Sequence, residues 1–186
     1  MDNDRQLVAD VLGQVPGAFE CLVRQYQGLC WHVVQRMVRH PEDTRELCQE
    51  AFLRVHRNLH QYRFDAPLKS WIGQVAYSVA RRHLERKRIP LVEAADDDTP
   101  LHELVGDGFD LESATADGEI ARLLHAAIDA LPPLQRTILT LYHLDETPIS
   151  EISRITGLAE GTIKSHLFRS RRRLRDLLEP RIGAAA

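Results

Sequence analysis

Apolar residues at Phe19, Leu22, Val23, Tyr26, Leu29, Cys30, Val33, Val34 and Met37 recur in steps of three and four. This spacing predicts one long amphipathic helix whose apolar stripe is core. A second helix is expected to begin near 41–43 and to carry Leu47, Ala51, Phe52, Val55 and Leu59. A third carries Trp71, Ile72, Val75, Ala76, Val79 and Leu84, and the stretch 61–70 between them, with Asp65, Ala66 and Pro67, reads as a loop. Trp71 lies on the apolar face, so core packing is the expected role, with base stacking as the alternative. From Ile89 the periodicity collapses into Pro90, Pro100, Gly106, Gly108 and the run Asp96, Asp97, Asp98, with room only for a helical turn near 101–105. It resumes at Ile120, Leu123, Leu124, Ala127, Ile128 and Leu131, stops at Pro132 and Pro133, and restarts at Leu134, Ile138, Leu139 and Leu141. No stretch alternates with period two for long enough to suggest a sheet, so the chain is expected to be all-α.

Near the C-terminus, Thr147 is placed to cap a helix whose first position is Pro148, where a missing N–H costs nothing. Ile149, Ile152 and Ile155 supply its buried face and Gly157 ends it. A further helix from about Ala159 buries Ile163, Leu167 and Leu174, while Thr162, Lys164, Ser165, Arg169, Arg171, Arg172 and Arg173 are free to face outward. Ala159 is a poor cap at that start. Two short helices around a glycine turn, the second strongly basic, are the ingredients of a DNA-binding helix-turn-helix; a helical hairpin with a solvated basic face is the plainer alternative.

Charge sharpens the division of the chain. The net charge of −3 is made of 14 basic and 10 acidic residues over 1–88, none and 10 over 89–121, and 10 and 7 over 122–186. Two basic modules joined by an acidic connector point to two nucleic-acid-facing surfaces on a self-repelling tether. The expected architecture is an N-terminal helical bundle over 1–88, an acidic flexible linker over 89–118, and a C-terminal helix-turn-helix domain over 119–186.

Several function classes find no support. No apolar run suffices to cross a membrane, and the acidic, polar N-terminus does not resemble a secretory signal, so a cytoplasmic protein without membrane insertion is expected. Cys21, Cys30 and Cys48 lack C-x-x-C spacing and read as small apolar fillers. His56 and His60 lie one turn apart without an H-E-x-x-H partner, and there is neither a glycine-rich phosphate loop nor a nucleophile elbow. Neither an enzyme nor a metal or cofactor is expected. A conventional repressor or activator, binding duplex DNA through the C-terminal domain alone, is one function that these features allow.

The segments ALPPLQR (130–136), PISEISRITGLAEGTIKSHLFRSRRRLRDLL (148–178), ELCQEAFLRVHRNL (46–59) and SWIGQVAYSVARRHLERKR (70–88) closely resemble extracytoplasmic-function sigma factors of bacterial RNA polymerase. They cover nearly the whole chain in that family's order, with the acidic connector between, and leave the repressor or activator as the alternative. The resemblance implies that the first domain contacts the clamp helices of the polymerase largest subunit through Asp43, Glu46, Leu47, Gln49 and Glu50. It also implies capture of unpaired minus-ten bases by the loop 61–70, with Arg63, Lys69, Ser78, Arg81, Arg82, Arg86, Lys87 and Arg88 along the promoter. The second domain would read the minus-thirty-five duplex through Thr162, Lys164, Ser165, Phe168 and Arg169, with phosphate contacts from Arg171, Arg172 and Arg173, and would meet the flap of the second-largest subunit.

Where this family usually carries Asp-Ala-Glu-Asp, the present chain reads Asp43, Thr44, Arg45, Glu46. Formal charge there rises from −3 to −1, which is expected to weaken attraction to a basic clamp. A phosphate on Thr44 would restore most of it, so control by a serine/threonine kinase is one expectation; an exposed, unmodified Thr44 at a helix start is the other. An anti-sigma protein is a further possible partner. Ser78, Arg82 and Thr137 also depart from the family's common asparagine, aspartate and glutamate, which leaves the promoter sequence open. Little sequence lies beyond the basic helix, so no appended sensory domain is expected.

Overall fold

A computed structural model describes residues 2–91 and 118–182 of the chain. These residues form two compact helical units, one of 2–89 together with 154–157 and the other of 90–91, 118–153 and 158–182. No strand occurs among them, as the absence of period-two alternation requires. The acidic connector expected over 89–118, with its possible turn near 101–105, lies almost entirely outside the described residues.

The first unit contains α1 (Asp2–Leu12), α2 (Ala18–Val38), α3 (Pro41–Asn58), a 3-10 turn (Leu59–Gln61) and α4 (Leu68–Arg86). The helix α1 is not among the elements expected from periodicity, although Leu7, Val8 and Val11 carry a short helical repeat. Val8 and Val11 are buried, and the Tyr26 hydroxyl on α2 donates to Asp4 Oδ1 at 3.0 Å. Both α1 and α4 end in paired backbone bonds around a left-handed residue: Gln14 at φ 56° and Arg88 at φ 55°. After α4, the Ile89 N–H reaches Leu84 O (3.0 Å) and the Arg88 N–H reaches Glu85 O (3.1 Å). Such closure satisfies carbonyls that a helix end would otherwise leave open, usually with glycine at the left-handed position.

The helices α2, α3 and α4 pack mutually, burying Leu22, Cys30, Val33, Val34, Leu47, Val55, Leu68, Ile72 and Val79. Only Arg39 and His40 separate α2 from α3, so the two run antiparallel as a tight hairpin. Pro41 occupies the first turn of α3, and His40 Nδ1 accepts weakly from the Asp43 N–H at 3.4 Å. Beside this turn Thr44 is fully buried, and its hydroxyl donates to Gln35 Oε1 at 2.6 Å. The expectation of an exposed Thr44 is thus corrected: its position faces α2, and Gln35 supplies the acceptor that makes burying a hydroxyl tolerable.

The second unit contains α5 (Gly118–Asp129), α6 (Pro133–His143), the first five residues of α7 (Ile149–Thr156) and α8 (Glu160–Ile182), the end of α7 being grouped with the first unit. The helix α8 packs on α5 and α6, with Leu124, Ile128, Ile138, Leu141, Ile163, Leu167 and Leu174 buried. Arg136, also buried, donates from Nη1 to the carbonyls of Asp129 (3.1 Å) and Leu131 (2.9 Å), capping the C-terminal end of α5 with positive charge. The Thr137 hydroxyl turns back to Pro133 O at 2.8 Å, a bond that glutamate at this position would not make.

The buried His166 on α8 has its pKa pushed down to about 4, first by desolvation and then by neighbouring Arg169. Because the unfolded chain binds the proton near its usual pKa, this histidine contributes stability that is full at neutral pH and declines as pH falls below about 6.5. Compared with His166→Gln, the wild-type chain should lose about 2 kcal/mol more stability between pH 7.5 and pH 5 in urea titrations. Replacing Arg136 with methionine, which leaves the α5 carbonyls uncapped, should cost about 2–4 kcal/mol in the same assay.

Candidate nucleic-acid and partner surfaces

Three surfaces stand out, two on the first unit and one on the second. The first is aromatic. The loop after α3 turns Phe64 to a positive φ of 62°, where a non-glycine side chain is uncommon. Its ring meets Tyr62 at 4.6 Å between centroids, and Tyr62 meets Trp71 at 5.4 Å. The Tyr62 hydroxyl donates to Ala66 O at 2.5 Å, fixing the loop from within. Arg5 from α1 lies over the Phe64 ring at 5.3 Å. The result is a concavity lined by Gln61, Tyr62, Asp65, Ala66, Ser70 and Trp71.

Clustered, mutually tilted and partly open aromatic rings beside cations form a platform on which unpaired bases can stack. Trp71 is half-buried at the mouth of this concavity and not sealed in the core as its place in the apolar stripe predicts. Tyr62 and Phe64 give no periodic signal in the sequence, because the loop's spacing is irregular. Of the residues expected along the promoter, the basic Arg63, Lys69, Arg81, Arg82, Arg86 and Arg88 are exposed and the neutral Ser78 is half-buried. Arg81 is held by Glu85 at 2.9 Å along the same helix.

The second surface is apolar. Between α2 and α3 runs a groove of about 690 Å³ lined by Phe19, Val23, Trp31, Phe52 and Leu53, with Arg45, Cys48 and Gln49 among its polar lining. Leu53 is 55% exposed, an unusual position for a large aliphatic side chain with no partner to cover it. The residues expected to engage polymerase fall unevenly around it. Glu46 and Gln49 are exposed, whereas Leu47 is buried in the core and is corrected from a contact residue to a packing one. Glu50 is paired with Arg54 at 2.6 Å, and Arg45 with Glu42 at 2.9 Å.

Asp43 is likewise engaged within the unit. Its carboxylate accepts from Lys87 Nζ at 2.6 Å and lies 3.2 Å from His83 Nε2 and 3.6 Å from His40 Nδ1. The Lys87 bond, above all, holds this carboxyl below the usual range, with the two histidines adding to it and desolvation opposing. Lys87 therefore pins the end of α4 to the start of α3, a role its place in a basic run concealed.

The third surface is the outer face of α8. The turn into it uses Gly157 at φ 75°, a backbone state that favours glycine. The Pro148 carbonyl accepts from Glu151 N (2.9 Å) and Ile152 N (3.0 Å), while the Thr147 hydroxyl turns to Asp145 O at 3.4 Å. At the start of α8 the Ala159 carbonyl accepts from Ile163 N (3.1 Å), and the Ser153 hydroxyl ties down Leu158 O at 2.6 Å. That serine bond steadies the turn that alanine leaves without a side-chain cap.

Thr162, Lys164 and Arg172 are exposed, and Phe168, Arg169, Arg171 and Arg173 are partly so. The Ser165 hydroxyl bonds back to Gly161 O at 3.0 Å. Arg171, half-buried, turns toward α6, with Nε 3.3 Å from His143 Nε2 and its guanidinium 6.0 Å from the Tyr142 ring centre. Among the described residues no cluster of three or more histidine, cysteine or acidic side chains could hold a metal ion, and no helix is long and apolar enough to cross a membrane.

Sigma-70 region 2 matches residues 22–89, and Sigma-70, region 4 matches residues 121–174. The chain is 30% identical to the RNA polymerase sigma-H factor of Pseudomonas aeruginosa, over 99% of this chain and 98% of that protein. It is 25% identical to the ECF RNA polymerase sigma factor SigW of Bacillus subtilis, over 87% and 89%. In fold it resembles the sigma factor RpoE crystallised with the anti-sigma factor NepR from Bartonella quintana, with TM-score 0.56, 19% identity and coverage of 88% and 98%.

Single substitutions Tyr62→Ala and Trp71→Ala should each weaken binding of a single-stranded oligonucleotide by about 1–3 kcal/mol, measured by fluorescence anisotropy, with little effect on a duplex of the same sequence.

Proposed function

From the premise that this chain belongs to the extracytoplasmic-function sigma factors, alternative RNA polymerase sigma factors that direct promoter recognition and transcription initiation, we propose how its surfaces divide that work. Residues 1–88 serve as the region 2 domain, 89–118 as the connector and 119–186 as the region 4 domain. The observation that carries this reading is the pairing, on one small unit, of an open apolar groove with an aromatic concavity.

The groove takes the clamp helices of the polymerase largest subunit, with Leu53, Trp31 and Phe52 as apolar anchors and Gln49 and Glu46 as polar contacts. Apolar anchors suit this partner because Asp43, Arg45 and Glu50 are already paired internally and present little uncompensated charge. The aromatic loop receives an unstacked minus-ten base, and Arg63, Lys69, Arg82, Arg86 and Arg88 follow the phosphates. On the second unit, Thr162, Lys164, Phe168 and Arg169 face the minus-thirty-five duplex, with Arg172 and Arg173 toward the backbone and the flap of the second-largest subunit as polymerase contact. An anti-sigma protein is a natural competitor for the groove, and the NepR complex of RpoE supports such a partner. Kinase control through Thr44 is not part of this reading, because that hydroxyl is enclosed and already bonded to Gln35.

The test is capture of RNA polymerase core by the full chain, followed by run-off transcription from genomic fragments. Wild-type protein should capture core and yield new promoter-specific transcripts, and Leu53→Asp should lower core affinity about tenfold or more without altering the helical circular dichroism. Tight binding to a duplex operator by the chain alone, with no capture of core, would overturn the proposal in favour of a conventional repressor or activator.

A further inference from the structure

The α2–α3 hairpin sets a register that brings two cysteines together. Near the turn, Gln35 bonds Thr44; at the far end, Phe19 meets His56 edge-to-face at 4.8 Å. Between these rungs, one helical turn beyond Thr44 on α3 and five residues before Gln35 on α2, stand Cys48 and Cys30. The register sets the two thiols opposite each other across the hairpin, and each shifts the proton affinity of the other. Cys30 is fully buried, whereas Cys48 is half-buried and lines the apolar groove. Cys21, the remaining cysteine, is exposed on the first turn of α2.

We propose that Cys30 and Cys48 form a peroxide-reactive dithiol site that closes to an intramolecular disulfide across the hairpin, and that this closure weakens the groove's hold on polymerase. The second clause rests on the function proposed above; the first does not.

Geometry gives the two sulfurs different parts. Cys48 opens on the groove and can be reached by a small hydroperoxide, while Cys30 is shielded from solvent and placed to resolve the product. Electrostatics runs the same way: the neighbouring Cys30 thiol favours the Cys48 thiolate against the cost of burial, and Cys30 itself is pushed up by Cys48 and by desolvation. The Cys48 thiolate attacks one peroxide oxygen, the O–O bond breaks, and the departing hydroxide leaves as water after taking up a proton. Cys30 sulfur then attacks the Cys48 sulfenic acid, and the hydroxyl departs as a second water, carrying the Cys30 proton. Two thiols and one hydrogen peroxide thus give one disulfide and two waters, with sulfur losing two electrons and peroxide gaining them.

A covalent bond between two sulfurs is shorter than a non-bonded contact between them. Closure therefore draws α3 toward α2 at the level of Cys48 and withdraws a lining atom from the groove. Phe52 and Leu53 lie one turn further along the same helix, so the anchors of the groove move with it.

The full chain, reduced and then treated with hydrogen peroxide, is alkylated and digested without reductant for peptide mass spectrometry. A peptide pair joined through Cys30 and Cys48, two hydrogens lighter than the free peptides and released by dithiothreitol, is the expected result, with Cys21 alkylated. Cys21→Ser should form the same bridge. A Cys48 that remains alkylatable, stops at sulfinic acid or bridges to Cys21 would overturn the dithiol site. Core capture by the same samples tests the consequence: capture should be lost on oxidation and restored by dithiothreitol. Undiminished capture by fully bridged protein would overturn the switch while leaving the site. Failure of the reduced protein to capture core would instead count against the proposed function, with the mass spectrum still deciding the chemistry.

Discussion

The two-residue turn between α2 and α3 is the constraint on which the first unit depends. Arg39 and His40 leave no slack, so α3 must return along α2 in a fixed register. That register sets what faces what: Thr44 meets Gln35, Cys48 meets Cys30, and His56 meets Phe19. It also decides that one side of the hairpin seals against α4 while the other stays open as an apolar groove. The ion pair from Lys87 to Asp43 also joins the end of α4 to the start of α3, on three helices that core packing already holds as one body.

The second unit solves a related problem with a different residue. Pro132 and Pro133 force a break between α5 and α6, and a break leaves helix carbonyls without donors. Arg136 turns back to satisfy the last carbonyl of α5, at Asp129, and that of Leu131 in the turn, so the charge that caps α5 also seats the beginning of α6. The platform so formed carries α8, whose basic face is thus held by core packing at Ile163, Leu167 and Leu174 rather than by local caps.

Much of this is legible in the sequence because helical periodicity reports burial directly. The stripe from Phe19 to Met37 becomes α2, and the repeats after Pro41 and Pro133 become α3 and α6 with boundaries close to those expected. What stays hidden shares a cause: it depends on which face of a helix meets which neighbour. Thr44 and Leu47 look like surface contacts because motif position says nothing of rotation about the helix axis. Lys87 and Arg171 look like free cations because their partners, Asp43 and His143, lie 44 and 28 residues away. The helix α1 is obscured because its few apolar positions are diluted by charge, and the aromatic loop because rings at Tyr62, Phe64 and Trp71 converge only after the backbone turns.

The inward commitment of Arg171 changes how the C-terminal arginine run should be counted. A cation that releases a counterion from DNA must approach a phosphate, and each such approach steepens the fall of affinity with ionic strength. A run of arginines read as uniformly outward would imply a steep fall. On the function proposed above, an Arg171 that keeps Tyr142 and His143 as neighbours adds nothing to that count, and more of the discrimination between promoters comes from base edges and from the shape of the groove itself.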